Sequence, residues 1–79
     1  MKRDIELWDH ESNYIWGNLG VDGKIELWDK NSDFIWGELK PGGKIELWDK
    51  NKNYIWGELK GDKIELWDNN SNYIWGNLK

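Results

Sequence analysis

Two residue types recur in this sequence at a spacing that could do chemistry: tryptophan and glutamate. Trp8, Trp28, Trp48 and Trp67 each follow a glutamate, Glu6, Glu26, Glu46 or Glu65, by two positions. A second set, Trp16, Trp36, Trp56 and Trp75, follows eight residues after the first. In an extended chain residues i and i+2 share a face, so every carboxylate stands beside an indole. Flat rings present an apolar surface to the C–H face of a pyranose, while Glu6 or Asn18 beside them bonds its hydroxyls. The same pairing could cage a quaternary ammonium. A carboxylate desolvated against a ring could also have a raised pKa and act as an acid. Catalysis, however, needs unlike groups converging at one place, and this array offers the same group four times. No nucleophile–base pair is visible, so the catalytic set is empty and no enzyme activity is expected.

A second pattern follows the first tryptophan of each set. Asp29, Asn31 and Asp33 alternate as the first half of a calcium loop does, where alternate side chains converge on one point. The glycine that such a loop needs at its sixth place is Phe34 here, and no bidentate acid stands at the twelfth. Asx-turn chemistry accounts for the same residues without metal, and no metal or other cofactor is expected.

Composition narrows the rest. There is no cysteine to form a disulfide or a thiolate site, and one histidine, His10, in one turn only. Eleven basic residues against 15 acidic ones give a net charge of −4, and the pI is near 4.9. That balance argues against nucleic acid and against anionic lipid, both of which need a basic face. No apolar run approaches the ~20 residues of a membrane-spanning helix, and no signal peptide is apparent. The compartment is not legible: absence of cysteine suits either redox environment.

The elements that position these residues come from repetition. Ile-Glu-Leu-Trp-Asp begins at Ile5, Ile25, Ile45 and Ile64, a spacing of 20, 20 and then 19. Ile-Trp-Gly follows at Ile15, Ile35, Ile55 and Ile74, and Leu19, Leu39, Leu59 and Leu78 close the copies. Between Lys24 and Leu39 the second copy differs from the third only at Ser32, Asp33 and Phe34. Such near-identity implies either a recent duplication or an engineered consensus. The chain reads as one domain, 1–79, with repeats at about 4–20, 21–40, 41–60 and 61–79.

Each repeat reads as two strands of alternating character, rich in β-branched and aromatic residues. The polar segment between them ends in Asn or Asp (Asn13, Asp33, Asn53, Asn72), types that tolerate the left-handed conformation closing a three-residue hairpin loop. Pairing Asp9 with Ile15 sets Trp8 opposite Trp16, Leu7 opposite Gly17 and Ile5 opposite Leu19. One face then holds Ile5, Leu7, Ile15 and Leu19, and the other Glu6, Trp8, Tyr14, Trp16 and Asn18. The glutamates are expected to pair across strands with Lys24, Lys44 and Lys63, or to stay solvated. Pro41-Gly42 has the order of a type II turn, and Lys60-Gly61-Asp62-Lys63 suits a two-residue loop. All three linkers return each leucine beside the next isoleucine.

Asp22-Gly23-Lys24-Ile25-Glu26-Leu27-Trp28-Asp29 resembles the D-G-x-I-x-L-W-D signature of WD40 propeller blades. That resemblance covers half a blade and implies a propeller-like arrangement, although the period is about half the family's and no Gly-His dipeptide occurs. Leu27-Trp28-Asp29 followed by Ile35-Trp36-Gly37 also resembles the hairpin of bulb-type mannose-binding lectins. Of that family's sugar motif, Q-x-D-x-N-x-V-x-Y, only Asp22 has a counterpart. Tryptophan-bearing hairpins of about this length are similar as well to choline-binding wall modules, whose G-W…W-Y-Y order is absent.

Sixteen Ile and Leu side chains at ~1.5–3 kcal/mol each, and eight indoles burying ~150–250 Å² each, would contribute comparable amounts. The rings are therefore expected to be shielded from water, by closure of the sheet or by a second chain. The resulting expectation is an all-β protein of four tandem β-hairpin repeats. Its eight-stranded antiparallel meander is closed as a small barrel or propeller-like ring, alone or completed by oligomerisation. The expected role is a non-catalytic structural or self-assembling scaffold that forms homo-oligomers. The alternative is a multivalent carbohydrate-binding domain using the eight tryptophans and four glutamates.

Overall fold

The computed structural model describes residues 2–79. Eight strands follow in order: β1 (Arg3–Trp8), β2 (Tyr14–Leu19), β3 (Lys24–Trp28), β4 (Phe34–Lys40), β5 (Lys44–Trp48), β6 (Tyr54–Lys60), β7 (Lys63–Trp67) and β8 (Tyr73–Leu78). Each pairs antiparallel with its neighbours in sequence, and β8 returns to β1, so the meander closes as a barrel. Of the two closures the sequence allows, the barrel is the one adopted. Closure occurs within one chain, and among the described residues no strand edge is left unpaired.

Closure is decided by which residues point inward. Ile5, Leu7, Ile15 and their equivalents are buried, as is Leu78, and Leu19, Leu39 and Leu59 pack against this core partly exposed. These are the sixteen Ile and Leu residues of the chain, four from each repeat. They fill the barrel in layers of four, each layer drawn from alternate strands. Leu7, Leu27, Leu47 and Leu66 form the most enclosed layer, each 1% exposed.

The glycine of each Ile-Trp-Gly makes room for that layer. On β2, Gly17 faces inward between Ile15 and Leu19 and lies opposite Leu27. A Cβ on Gly17 would overlap the carbonyl oxygen of Glu26 and sit 2.7 Å from the Leu27 Cα. Gly37, Gly57 and Gly76 make the same approach to the next strand. Each is a corner where the sheet turns toward closure, which a side chain would block.

The register within each hairpin differs from the expected one by two residues. Trp8 lies opposite Tyr14, Leu7 opposite Ile15 and Glu6 opposite Trp16. The Asp9 N–H donates to the Asn13 carbonyl at 3.0 Å, so the loop closes two residues earlier on the second strand's side than a pairing of Asp9 with Ile15 requires. A slip of two preserves the facing of every side chain, so the partition into aliphatic and aromatic faces stands. The tryptophan pairs move, however. They join successive repeats: Trp16 with Trp28, Trp36 with Trp48, Trp56 with Trp67, and Trp75 with Trp8.

The loops use the expected Asx chemistry with a different left-handed residue. Asp9 Oδ1 accepts the N–H groups of Glu11 and Asn13, each at 2.9 Å. Holding the Asn13 N–H this way keeps Asn13 in line with the strand, and the positive φ falls one residue earlier, at Ser12, Ser32, Lys52 and Ser71. Between repeats, the Gly43 N–H donates to the Lys40 carbonyl across Pro41-Gly42, with Gly42 at φ 88°, as a type II turn requires.

Candidate functional site

The outward positions carry the residues singled out from the sequence. All twelve aromatic side chains of the chain, eight Trp, three Tyr and one Phe, face out at the end of the barrel that bears the Asx loops. In each repeat the ring opening the second strand bridges two indoles. Tyr54 lies tilted against Trp48 at 5.7 Å between centroids and stacks on Trp56 at 5.7 Å. Tyr14, Phe34 and Tyr73 do the same in the other repeats. The result is a belt of rings around the barrel.

This placement corrects the expectation that water is kept from the indoles. The aliphatic face alone closes the core. Trp16, Trp56 and Trp75 remain 36–38% exposed, and Trp8, Trp28, Trp36, Trp48 and Trp67 are half-buried by their neighbours. The Ile and Leu layers already fill the interior of this barrel, which leaves the rings on its outer face.

Glu6, Glu46 and Glu65 lie beside the belt, held by groups other than the lysines expected. The Tyr14 hydroxyl donates to Glu6 Oε2 at 2.9 Å, Tyr54 to Glu46 at 3.0 Å and Tyr73 to Glu65 at 3.2 Å. Lys79 meets Glu6 and Lys40 meets Glu46, both at 2.8 Å. Lys24 and Lys44 instead stand opposite Glu38 and Glu58, and Lys63 opposite Asn77, a consequence of the two-residue slip. Lys40 lies directly opposite Lys44, and its diagonal reach to Glu46 offsets that like-charge pairing.

These contacts set the protonation states. The hydrogen bond from Lys40, then that from Tyr54, holds the Glu46 carboxyl below its ordinary range; Lys79 and then Tyr14 do so for Glu6. Desolvation and the neighbouring carboxylate push the Tyr54 phenol up, and the bond to Glu6 pushes Tyr14 up. Carboxylate and neutral phenol are thus the resident forms, an acceptor and a donor.

The four repeats are not equivalent. Phe34 has no hydroxyl, and Gly20 stands where the other repeats have Lys40, Lys60 and Lys79. Glu26 therefore has no side-chain hydrogen bond or ion pair among the described residues. Lys60 meets Glu58 at 3.5 Å rather than Glu65.

Among the described residues, open grooves are cut into the belt on β5–β6 and on β7–β8. One, of about 240 Å³, lies across β5 and β6 and is reached by Trp67 of β7. Its near-copy across β7 and β8, of about 210 Å³, has Asn77 in place of Glu58. The structure therefore brings Glu46, Trp56 and Trp67 together, and likewise Glu65 with Trp75. The tyrosines and Lys40, absent from the sequence-derived site, complete it. Their signal was the tyrosine eight residues after Glu6, Glu46 and Glu65, which a hairpin folds back to the same face.

The calcium pattern is turned inward on its own loop. Asp29 Oδ1 accepts the N–H groups of Asn31 at 2.8 Å and Asp33 at 3.0 Å, and the Asp33 carboxylate meets Lys50 at 3.0 Å. His10 is exposed. Comparison with known proteins returns no matching family model, no matching curated protein and no matching solved structure.

Proposed function

We propose that the chain is a non-catalytic β-repeat interaction module, a rigid scaffold whose outer aromatic belt is the surface that meets a partner. One observation carries this reading: the core is complete with aliphatic side chains alone, yet twelve rings are retained on the outside. Such a belt is costly for solubility unless it is used. A closed sheet offers no edge for strand addition, so contact runs through side chains. The carboxylates of Glu6 and Glu46, held below their ordinary range, are poorly suited to act as acids, which supports a binding role over a catalytic one.

The test is sedimentation across dilution, in parallel with tryptophan emission during titration with a panel of glycans. Assembly that weakens on dilution, or a saturable emission change, is expected. Neither response from a chain that circular dichroism shows to be folded would overturn the reading.

A further inference from the structure

We propose that the groove across β5 and β6 binds one neutral pyranose, stacked on indole and hydrogen-bonded to Glu46, and that the β7–β8 groove is a second site of the same kind. This rests on the belt being a working surface and names what it takes. The argument is one of chemical fit. The groove is walled by Trp56, Trp67 and Tyr54 and carries Glu46, Glu58 and Lys44. An apolar ring face with hydrogen-bonding groups at its rim matches a sugar, which has a C–H face and a rim of hydroxyls.

Charge removes the competing classes. The lining has two carboxylates and one ammonium, in a chain of net charge −4, so an anionic ligand is repelled. A cationic ligand gains little, because Glu46 already holds Lys40 at 2.8 Å and Glu58 meets Lys60 at 3.5 Å. An extended peptide finds no free strand edge. A neutral polyol remains.

The donor and acceptor inventory is adequate. An ionised carboxylate has about four lone-pair sites, and Lys40 and Tyr54 occupy two of those on Glu46. Two are left for sugar hydroxyls, and the carboxylate reaches them already oriented. Lys44, in no ion pair among the described residues, supplies donors. Repeat two lacks this arrangement, since Phe34 cannot orient Glu26.

The experiment is titration of ¹⁵N-labelled protein with methyl glucoside, methyl mannoside, methyl galactoside and N-acetylglucosamine, with sialyllactose as the anionic control. The expected result is a saturable shift, from at least one neutral sugar, confined to the Trp56, Trp67 and Trp75 indoles and the Gly57 and Gly76 amides. Binding at the β5–β6 groove should weaken about tenfold in Glu46→Gln, the loss of one hydrogen bond to a charged group. Tyr54→Phe should weaken it less, and that variant keeps the fold because Phe34 occupies the equivalent place. No saturable shift up to about 50 mM, well above the millimolar range expected of one small groove, would overturn the proposal. Equal binding by Glu46→Gln, or tighter binding of sialyllactose, would also overturn it. If sugars fail while dilution reveals assembly, this site falls and the interaction module stands; if both fail, both fall.

Discussion

The α-carbon of Gly57 lies against the backbone of Leu66 on the adjacent strand, so close that a β-carbon there would stand 2.7 Å from the Leu66 Cα. Both residues belong to hydrogen-bonded strands, so neither backbone can yield without breaking the ladder. Gly57→Ala is expected to cost about 3 kcal/mol or more in urea denaturation, at the upper end of overpacking effects. Gly42→Ala is the control. Gly42 sits at φ 88° with open space around it, so the cost there is conformational, about 1–2 kcal/mol. Equal losses at the two sites would show that β6 does not pass Leu66 this closely.

Core and belt should respond unequally to truncation. Leu47 is 1% exposed, and Leu47→Ala should cost about 2–5 kcal/mol. Trp56 is 38% exposed, and Trp56→Ala should leave a cooperative, folded barrel by circular dichroism, with a smaller loss than Leu47→Ala. A larger loss at Trp56 would place the rings in the core.

The Asp29 carboxylate is expected to act as a loop cap. Asp29→Ala removes the acceptor of two backbone N–H groups and should lower stability by about 1–2 kcal/mol, as loss of a cap does. Millimolar calcium should not move the melting temperature. A calcium-dependent rise would mean that the loop prefers a metal to its own backbone.

Lys52 holds a φ of 65° without being glycine. Lys52→Gly should relieve about 1–2 kcal/mol of steric cost against a conformational-entropy loss of about 0.5–1 kcal/mol, and so raise the denaturation midpoint slightly. A lowered midpoint would show that the lysine side chain contributes more than its backbone strain costs.

The pH response follows from the Glu46 cluster. A carboxyl whose folded pKa is lowered contributes stability above its unfolded pKa, and loses it as pH falls through the folded value. Lys40 and Tyr54, both raised, contribute below their unfolded pKa values and lose that as pH rises through the folded ones. All are near the surface, so the effect is small. Ultraviolet titration should show tyrosine ionising at higher pH in the folded chain than in urea. Glu46→Gln should lower the Tyr54 midpoint only partly, since desolvation also raises it. An unchanged midpoint in that variant would argue against the 3.0 Å bond.

Periodicity of two made the strands, the four repeats and the two faces legible from the sequence alone, because alternation in a strand is local and survives any even shift of register. The Asx loops and the Pro41-Gly42 turn were legible for the same reason: their chemistry lies within a few residues. Three features needed the tertiary structure. Register depended on where the Asp9 N–H closes the loop, a choice between hairpins that bury the same residues. The inward face depended on packing, since in the closed barrel the Ile and Leu layers, given room by Gly17 and its equivalents, fill the interior. The partners of the glutamates depended on both: register brings Lys40 and Tyr54 to Glu46 from the two flanking strands, and Lys79 reaches Glu6 only once β8 closes on β1.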